Sequence, residues 1–329
     1  MKLQHIIGAD LSKKSIDLVC HLLTTHIQIE NSIAGFKDLL QWMRKLKINA
    51  SETMIVMEHT GLYSYCFEKF LHQHQIAFCK VNALAIKRSM GLVRGKTDKL
   101  DAARIAAYGF EKKDKLMIDV PASDALKRLQ MLHSTRERLV KQRASIICAI
   151  KEYRYIGVPE KDIIMQTQLQ LIKSFDKQIE KLMTEIETII NEQEALKQNF
   201  HLLQSIKGVG KILALTTIIK TFNFTRFPNA RKFACFCGTA PFPHNSGTTI
   251  KRKARVSHLA DKQMKTLLDL SAKSAIQYDK ELREYYLNRT EGGKSKMSTI
   301  NVVRNKIIYR MFAVIKRQTP FLENYLQAA

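Results

Sequence analysis

The chain has 329 residues, and its 54 Lys and Arg side chains against 30 Asp and Glu give a net charge of +24. Apolar residues make up 45% and charged residues 26% of the sequence, which is ordinary for a folded protein and excludes a disordered or fibrous chain. The length is enough for two or three domains, and the positive excess indicates a polyanionic partner.

The positive charge lies mainly toward the C-terminus. Residues 201–329 carry 23 basic and 7 acidic side chains, and residues 201–260 carry ten basic and no acidic ones. A solvated basic face is one interpretation of such a run, but the lack of compensating acids favours contact with phosphates. We therefore expect nucleic acid as the partner, ahead of an acidic protein or a membrane surface.

The sequence does not favour export, membrane insertion or a zinc site. It contains no apolar stretch of about 18 residues, and its start has a strand-like pattern without a basic leader, so a cytoplasmic protein is expected. Of the six cysteines, only Cys235 and Cys237 are close together. A single Cys-x-Cys without a second pair argues against zinc, and we expect reduced, buried thiols.

Residues 1–120 have the pattern of an α/β domain. Three strand-like runs come first and are followed by alternating helix and strand, which predicts a mixed sheet. A further helix is expected to begin at Thr97, whose hydroxyl can cap it. The predicted strands are 3–10, 16–23, 25–31, 54–57 and 76–81, and the predicted helices are 36–46, 63–74 and 97–110.

Residues 121–198 have the pattern of a helical coiled-coil arm. Pro121 marks its start, and apolar residues between 126 and 150 then line one face of a long helix. Between 172 and 189 apolar residues recur at alternating steps of three and four, as in a coiled coil or helical hairpin.

Residues 199–329 are expected to form a mainly helical domain. The segment 202–212 predicts two helices joined by a turn containing Gly208 and Gly210. Such a helix-hairpin-helix can present backbone N–H groups to a phosphate, with Lys207 and Lys211 beside it, but a turn that serves only packing fits equally well. A loop is expected around 241–247, and helices are expected at 259–278 and after the Gly292-Gly293 break.

Four basic residues follow the predicted loop. Their density suits counterion release from a nucleic-acid backbone, so we interpret them as phosphate contacts and not as catalysts. They are Lys251, Arg252, Lys253 and Arg255.

Four carboxylates stand where a metal site could form; we call Asp10, Glu58, Asp98 and Asp101 the acidic quartet. The first two end predicted strands, and the last two are three residues apart at a helix start, which places them on one face. Carboxylates held together repel unless a cation lies among them, which favours a hard divalent ion. Alternatively, each is a turn residue or a helix N-terminal charge.

Blocks around the quartet resemble one family in type and order. They are Ile7-Gly8-Ala9-Asp10 with Ser12-Lys13-Lys14 and Asp17, Glu58-His59-Thr60-Gly61-Leu62-Tyr63, and Lys96-Thr97-Asp98-Lys99-Leu100-Asp101-Ala102. The chain resembles the DEDD recombinases, which comprise the transposases of insertion sequence family one-hundred-ten and the Piv-type DNA invertases. The resemblance continues through 206–210, 233–241 and 245–248, and it implies a RuvC-like, RNase H-type first domain and a C-terminal transposase domain with a helix-hairpin-helix.

The resemblance also implies the site residues and partners. It implies that the acidic quartet binds Mg²⁺, with Mn²⁺ as an alternative, and that Ser246 is a nucleophile that forms a phosphoserine with DNA. From the residues alone Ser246 is a turn serine, and Thr248 and Thr249 are rival hydroxyls. The implied partners are donor and target DNA, a noncoding bridge RNA, and further copies of the chain in a dimer or tetramer.

The leading hypothesis is thus an RNA-guided DNA transposase or recombinase. A Piv-like site-specific invertase, a RuvC-like structure-selective nuclease and a nucleic-acid-binding protein without activity are the alternatives. The chain departs from the family at Asn82-Ala83, where Asn-Pro is usual, at Gly238-Thr239-Ala240-Pro241, and at Ser257-His258-Leu259-Ala260-Asp261. None of these departures removes a proposed ligand or the nucleophile.

Overall fold

The computed structural model describes residues 3–59, 61–91, 95, 97–246 and 250–322, with the backbone alone at 244–246 and 250–253. The chain divides into two compact units, residues 1–122 and 123–329.

The first unit is a sheet with helices on both faces. Its elements are β1 (His5–Leu11), β2 (Ser15–Cys20), β3 (Thr25–Glu30), α1 (Ile33–Lys45), β4 (Thr53–Glu58), α2 (Tyr65–Gln73), β5 (Ala77–Val81), α3 (Ala83–Ser89) and α4 (Asp98–Lys112). In the part of the chain that is described, these strands form one sheet of order β3-β2-β1-β4-β5. The pairs β1–β2 and β2–β3 are antiparallel, whereas β1–β4 and β4–β5 are parallel, so the predicted mixed sheet is confirmed.

The sheet has an apolar cluster on each face because its central strands are buried on both sides. In β1, Ile7 packs into the cluster that contains Phe36 of α1 and Phe67 of α2. On the other face, Ile6 packs with Val56 of β4 and Ile105 of α4. Central parallel strands of this kind are almost continuously apolar, and that is the signal by which the sequence predicted them.

Small residues bring α4 close to β1. A Cβ atom at Gly8 would lie 2.2 Å from the carbonyl oxygen of Ala102 and 2.3 Å from the amide nitrogen of Ala106. A Cβ atom at Gly109 would lie 2.7 Å from Val56 Cγ2. Helix α4 therefore runs along β1 and β4 with its N-terminus at the end of the sheet where Asp10 and Glu58 lie.

Helix α3 was not expected from the sequence, because it has only seven residues and little periodicity. It begins at the Asn82-Ala83 departure. The Asn82 side chain accepts a hydrogen bond from the Leu84 N–H, and Ala83 is the first helical residue. Proline is favoured at this helical position but is not required there, so alanine preserves the helix start.

The second unit begins with a helical hairpin. Helices α5 (Asp124–Tyr155) and α6 (Ile163–Glu192) pack together in antiparallel directions, and ion pairs such as Arg143 to Asp176 join them. One end of the hairpin contributes Leu129 and Ile186 to the core of this unit. The remaining elements are α7 (Glu194–Gln204), α8 (Lys211–Thr221), α9 (Ala230–Phe236), β6 (Pro241–Ser246), β7 (Ile250–Val256), α10 (Lys262–Tyr278), α11 (Lys280–Glu291) and α12 (Lys296–Arg317).

The prediction of a loop around 241–247 was wrong for residues 241–246. They form β6, which pairs with β7 as an antiparallel ribbon, with Pro241 opposite Val256 and Ser246 opposite Ile250. Two prolines concealed the strand from sequence reasoning. Pro241 is the first residue of β6, and Pro243 falls where the register shifts between Phe242 and His244; strands tolerate proline at both kinds of position.

The cysteines are less uniformly buried than expected. Cys20, Cys79 and Cys237 are buried, but Cys66 and Cys148 are exposed on α2 and α5. Both lie on helices at positions that face away from the apolar stripe, which the sequence pattern alone did not resolve. None of the described helices is long and apolar enough to cross a membrane.

Candidate active site

The parallel pairing of β1 and β4 places two members of the acidic quartet side by side. Asp10 is next to last in β1, Glu58 is last in β4, and the preceding residues Ala9 and Met57 are register partners. Asp98 and Asp101 lie in the first turn of α4. The Thr97 hydroxyl caps this helix by accepting a hydrogen bond from the Leu100 N–H at 3.2 Å.

The acidic quartet lines one cleft of about 750 Å³, which we call the quartet cleft. Among the described residues, no three His, Cys, Asp or Glu side chains form a closed set of metal ligands. The carboxylates thus share a cleft without forming a compact coordination shell. Their chemistry nevertheless fits a divalent cation, because several oxygen donors with mutual repulsion face the same space.

The environment of the quartet raises the pKa of the Asp10 carboxyl. Burial, followed by the charges of Asp101, Asp98, Glu58 and Asp17, raises the pKa of the Asp10 carboxyl to about 6. Each of these neighbours disfavours a second negative charge, and a bound cation would reverse that effect. The group that the sequence placed at the end of the first strand is therefore electrostatically coupled to the rest of the quartet.

A basic residue that the sequence analysis missed braces the quartet. Arg104 of α4 donates a hydrogen bond from Nη1 to Asp101 Oδ1 at 2.7 Å and another from Nη2 to the Gly95 carbonyl at 2.9 Å. It fixes one carboxylate and ties the segment before α4 to the helix. Its position one turn after Asp101 was the available signal. Lys87 of α3 also lines the cleft and was missed with that helix.

Asp17 lies directly opposite Asp10 in the β1–β2 ladder and is almost fully buried. Its carboxylate oxygens contact His26 Nε2 at 2.7 Å and accept a hydrogen bond from Gln28 Nε2 at 3.0 Å. Because both oxygens already have partners on β3, Asp17 adds negative charge near Asp10 and has little freedom to serve as a ligand.

The proposed nucleophile lies in the second unit. Ser246 is the last residue of β6. The alternative hydroxyls, Thr248 and Thr249, lie outside the described residues. Lys251, Arg252, Lys253 and Arg255 all belong to β7. Arg255 is exposed and is the register partner of Phe242. The basic segment is therefore the strand that pairs with the strand of Ser246.

The predicted glycine turn joins α7 and α8 at residues 205–210. Gly208 has a φ of +88°, and Gly210 precedes α8 without any side-chain cap for its first N–H groups. Lys207 lies within this turn and Lys211 is the first residue of α8. Lys211 Nζ contacts Glu187 Oε1 at 2.7 Å. The uncapped start of α8 and the two lysines can bind an anion. The ion pair between Lys211 and Glu187 is exposed and therefore weak, so an anion can take the place of Glu187.

Two family models match the chain. Residues 7–153 match a DEDD-type transposase model of the IS110 group, and residues 200–287 match the transposase model of the IS116/IS110/IS902 family. The first match contains the whole acidic quartet, and the second contains the glycine turn, Ser246 and the basic strand β7.

Curated proteins are similar over nearly the full length. The pilin gene-inverting proteins of Moraxella bovis and Moraxella lacunata are each 27% identical over 332 aligned residues, covering 96% of this chain and 97% of the relative. A 43.6 kDa protein of insertion element IS110 from Streptomyces coelicolor is 29% identical over 126 residues, covering 38% of this chain and 31% of that protein.

Proposed function

Because the chain belongs to the IS110 family of DEDD transposases, related to the pilin gene-inverting proteins, we propose that it cleaves and rejoins DNA strands through a serine-linked intermediate. The observation that carries this proposal is the quartet cleft, which all four carboxylates line and in which the pKa of Asp10 is raised. A carboxyl pKa raised by burial and by neighbouring carboxylates is characteristic of functional sites, and several oxygen donors facing one space suit a divalent cation.

The acidic quartet would hold Mg²⁺, or Mn²⁺ in its place. Such an ion would neutralise charge on a phosphodiester and would stabilise the attacking and leaving oxygens. Arg104 keeps Asp101 oriented in the cleft. Lys87, exposed on α3 at the cleft wall, is placed to contact a DNA phosphate.

The chemistry balances without an external energy source. The Ser246 oxygen attacks phosphorus, one bridging P–O bond of the strand breaks, and the serine proton passes to the leaving oxygen, which becomes a hydroxyl. A hydroxyl of the strand to be joined then attacks the phosphoserine and restores the serine. The number of phosphodiester bonds is conserved, as strand exchange requires.

The second unit supplies the larger basic surface. We infer that β7 holds the DNA backbone through Lys251, Arg252, Lys253 and Arg255. We also interpret the α7–α8 turn as a helix-hairpin-helix whose contacts come from Lys207, Gly208, Gly210 and Lys211. The run of residues 201–260 with ten basic and no acidic side chains supports both assignments.

Site-specific inversion is the second candidate. It is favoured by the two pilin gene-inverting relatives, which align over almost the whole chain. The same acidic quartet and serine would serve transposition and inversion, because the outcome depends on which DNA ends are joined. We further propose that the active form is a cytoplasmic homo-oligomer, a dimer or tetramer, and that a bridge RNA selects its sites.

The covalent intermediate can be tested directly. Labelled DNA incubated with the protein and Mg²⁺ should give a protein–DNA adduct on denaturing gels. Ser246→Ala should abolish the adduct, while Thr248→Ala and Thr249→Ala should retain it. Free nicks without an adduct would instead support a RuvC-like nuclease, in which water attacks.

The two recombination outcomes can also be separated. RNA that copurifies with the protein should be sequenced and compared with the DNA flanking the gene. Loops complementary to the flanks would support guided transposition. Inversion of a segment between two opposed sites on a plasmid, in the absence of any RNA, would support the invertase.

A further inference from the structure

A second cleft lies between the glycine turn and helix α10. It has a volume of about 530 Å³, and we call it the turn cleft. One wall is the turn with Lys207, Gly208 and Gly210, and the other includes Ser271 and Ser274 of α10. Among the described residues that line it, none is acidic. The cleft is therefore suited to a negatively charged group.

Close packing fixes the two walls against each other. A Cβ atom at Gly208 would lie 2.6 Å from the Ser271 carbonyl oxygen and 2.9 Å from Ala275 Cβ. Only glycine allows this approach at the observed φ of +88°. The turn and α10 therefore form one rigid cradle, and α10 belongs to it although it lies outside the predicted helix-hairpin-helix.

Ser271 provides an independent sign of a ligand. Its side chain is 4% exposed, and within the described structure its Oγ has no hydrogen-bond partner. A buried hydroxyl without a partner is costly and uncommon in folded proteins. Ser274 lies almost one turn further along α10, on the same side, and is half-buried. Both hydroxyls can donate a hydrogen bond to an acceptor in the cleft.

The start of α8 adds further donors. Its first N–H groups receive no side-chain cap, and the helix dipole favours negative charge at this end. Hydroxyls from α10 and N–H groups from α8 thus surround one space. Lys207 and Lys211 supply positive charge at its rim.

We propose that Ser271 and Ser274 complete a binding site for one backbone phosphate of duplex DNA, held between α10 and the start of α8. This proposal rests on the proposed DNA-binding function of the second unit and adds a helix to the contact surface. The serines are neutral donors that fix the position of the phosphate, whereas the lysines contribute affinity through counterion release.

This division of roles gives two separable signatures. Replacing a lysine that contacts phosphate lowers the salt dependence of log K by about one unit of slope. Replacing a neutral donor lowers affinity at every salt concentration and leaves the slope unchanged. Furthermore, Ser271→Ala removes an unpaired buried hydroxyl, so it should not lower the Tm of the free protein.

The experiment uses the full chain and a fluorescent DNA duplex, with anisotropy measured over a range of salt concentrations. Ser271→Ala combined with Ser274→Ala should weaken binding about tenfold with the parental salt slope and Tm. Ser274→Asp should weaken it more, because it brings negative charge into the cleft. Ser174→Ala and Ser174→Asp, at an exposed position on α6, are the matched controls and should bind like the parent.

Parental affinity in the Ser271 and Ser274 variants, alongside weaker binding by Lys207→Ala, would overturn this inference and leave the proposed function standing. Equal loss in Ser274→Asp and Ser174→Asp would also overturn it, because a general charge effect would then explain the change. A parent chain that binds no DNA would overturn both proposals.

Discussion

Asp10 is the residue whose electrostatics are most informative. Its pKa is raised from 3.8 to about 6, so the folded chain holds the proton more tightly than the unfolded chain does. Stability therefore falls as pH rises through this interval, since ionised Asp10 is costly only in the folded state. We predict that Asp10→Asn, without divalent ions, melts a few degrees above the parent at about pH 7.5.

That gain should shrink as the pH falls from about 6 to 4, because the parental carboxyl is then protonated as well. Thermal unfolding in EDTA at several pH values measures it. Asp98→Asn, at an exposed position in the first turn of α4, should raise the Tm by less than Asp10→Asn does. Added Mg²⁺ should raise the Tm of the parent more than that of Asp10→Asn. If Asp10→Asn melts below the parent at neutral pH, burial and the neighbouring carboxylates do not destabilise ionised Asp10.

Gly8 determines how closely α4 approaches the sheet. A methyl group there would meet the backbone of Ala102 and Ala106 at 2.2 and 2.3 Å, and backbone atoms cannot move aside as side chains do. We predict that Gly8→Ala lowers the free energy of unfolding by at least about 2 kcal/mol. The shifted helix would also move Asp98 and Asp101 away from Asp10, so adduct formation should fall.

Chemical denaturation measures the stability loss. Gly210→Ala is the comparison, because a Cβ atom there has nothing within 4 Å and its φ is −82°. It should leave the free energy of unfolding within about 1 kcal/mol of the parent value. Equal stability of the two variants would mean that α4 packs less closely than the structure indicates.

At the scale of residues, the sequence indicates candidates by type and position but not by their long-range contacts. The quartet was visible because each carboxylate ends a strand or starts a helix. The contact of Arg104 with Asp101 was visible in principle from the helical spacing. The contact of Gly8 with α4 was not, because it depends on how two elements 90 residues apart in sequence are packed.

At the scale of elements, the start of α4 positions half of the quartet. The Thr97 hydroxyl accepts the Leu100 N–H, and removal of such a cap costs about 1 kcal/mol. We predict that Thr97→Ala lowers stability by that amount and weakens Mg²⁺ binding, because the turn that holds Asp98 and Asp101 frays. Thr97→Ser keeps a hydroxyl and should behave like the parent. Calorimetric Mg²⁺ titration and denaturation test both effects.

The elements that the sequence predicted are those with a clear apolar pattern. The central strands β1, β2 and β4 are almost continuously apolar and buried, and the long helices α5 and α6 have apolar residues at helical spacing. Helices α3 and α9, with seven residues each, show too little periodicity, and prolines interrupt β6. Ser246 was therefore expected in a loop, whereas it ends a strand beside the basic strand β7. Its register opposite Ile250 depends on pairing that a local pattern does not encode.

At the scale of the whole molecule, charge and chemistry are divided between two units. Residues 1–122 hold the quartet and 18 basic against 12 acidic side chains, whereas residues 123–329 hold Ser246 and 36 basic against 18 acidic. Each unit also has its own hydrophobic core. A unit with its own core can fold independently, so the functions should be separable in fragments.

We predict that fragment 123–329 binds duplex DNA with a strong salt dependence and forms no adduct, because it lacks the quartet. Fragment 1–122 should bind Mg²⁺ but bind DNA at least about tenfold more weakly than the larger fragment, since its net charge is +6 against +18. Circular dichroism must first show that both fragments fold. Adduct formation by fragment 123–329 alone would show that the carboxylates are not required, and equal DNA binding by the two would show that net charge does not determine where DNA is held.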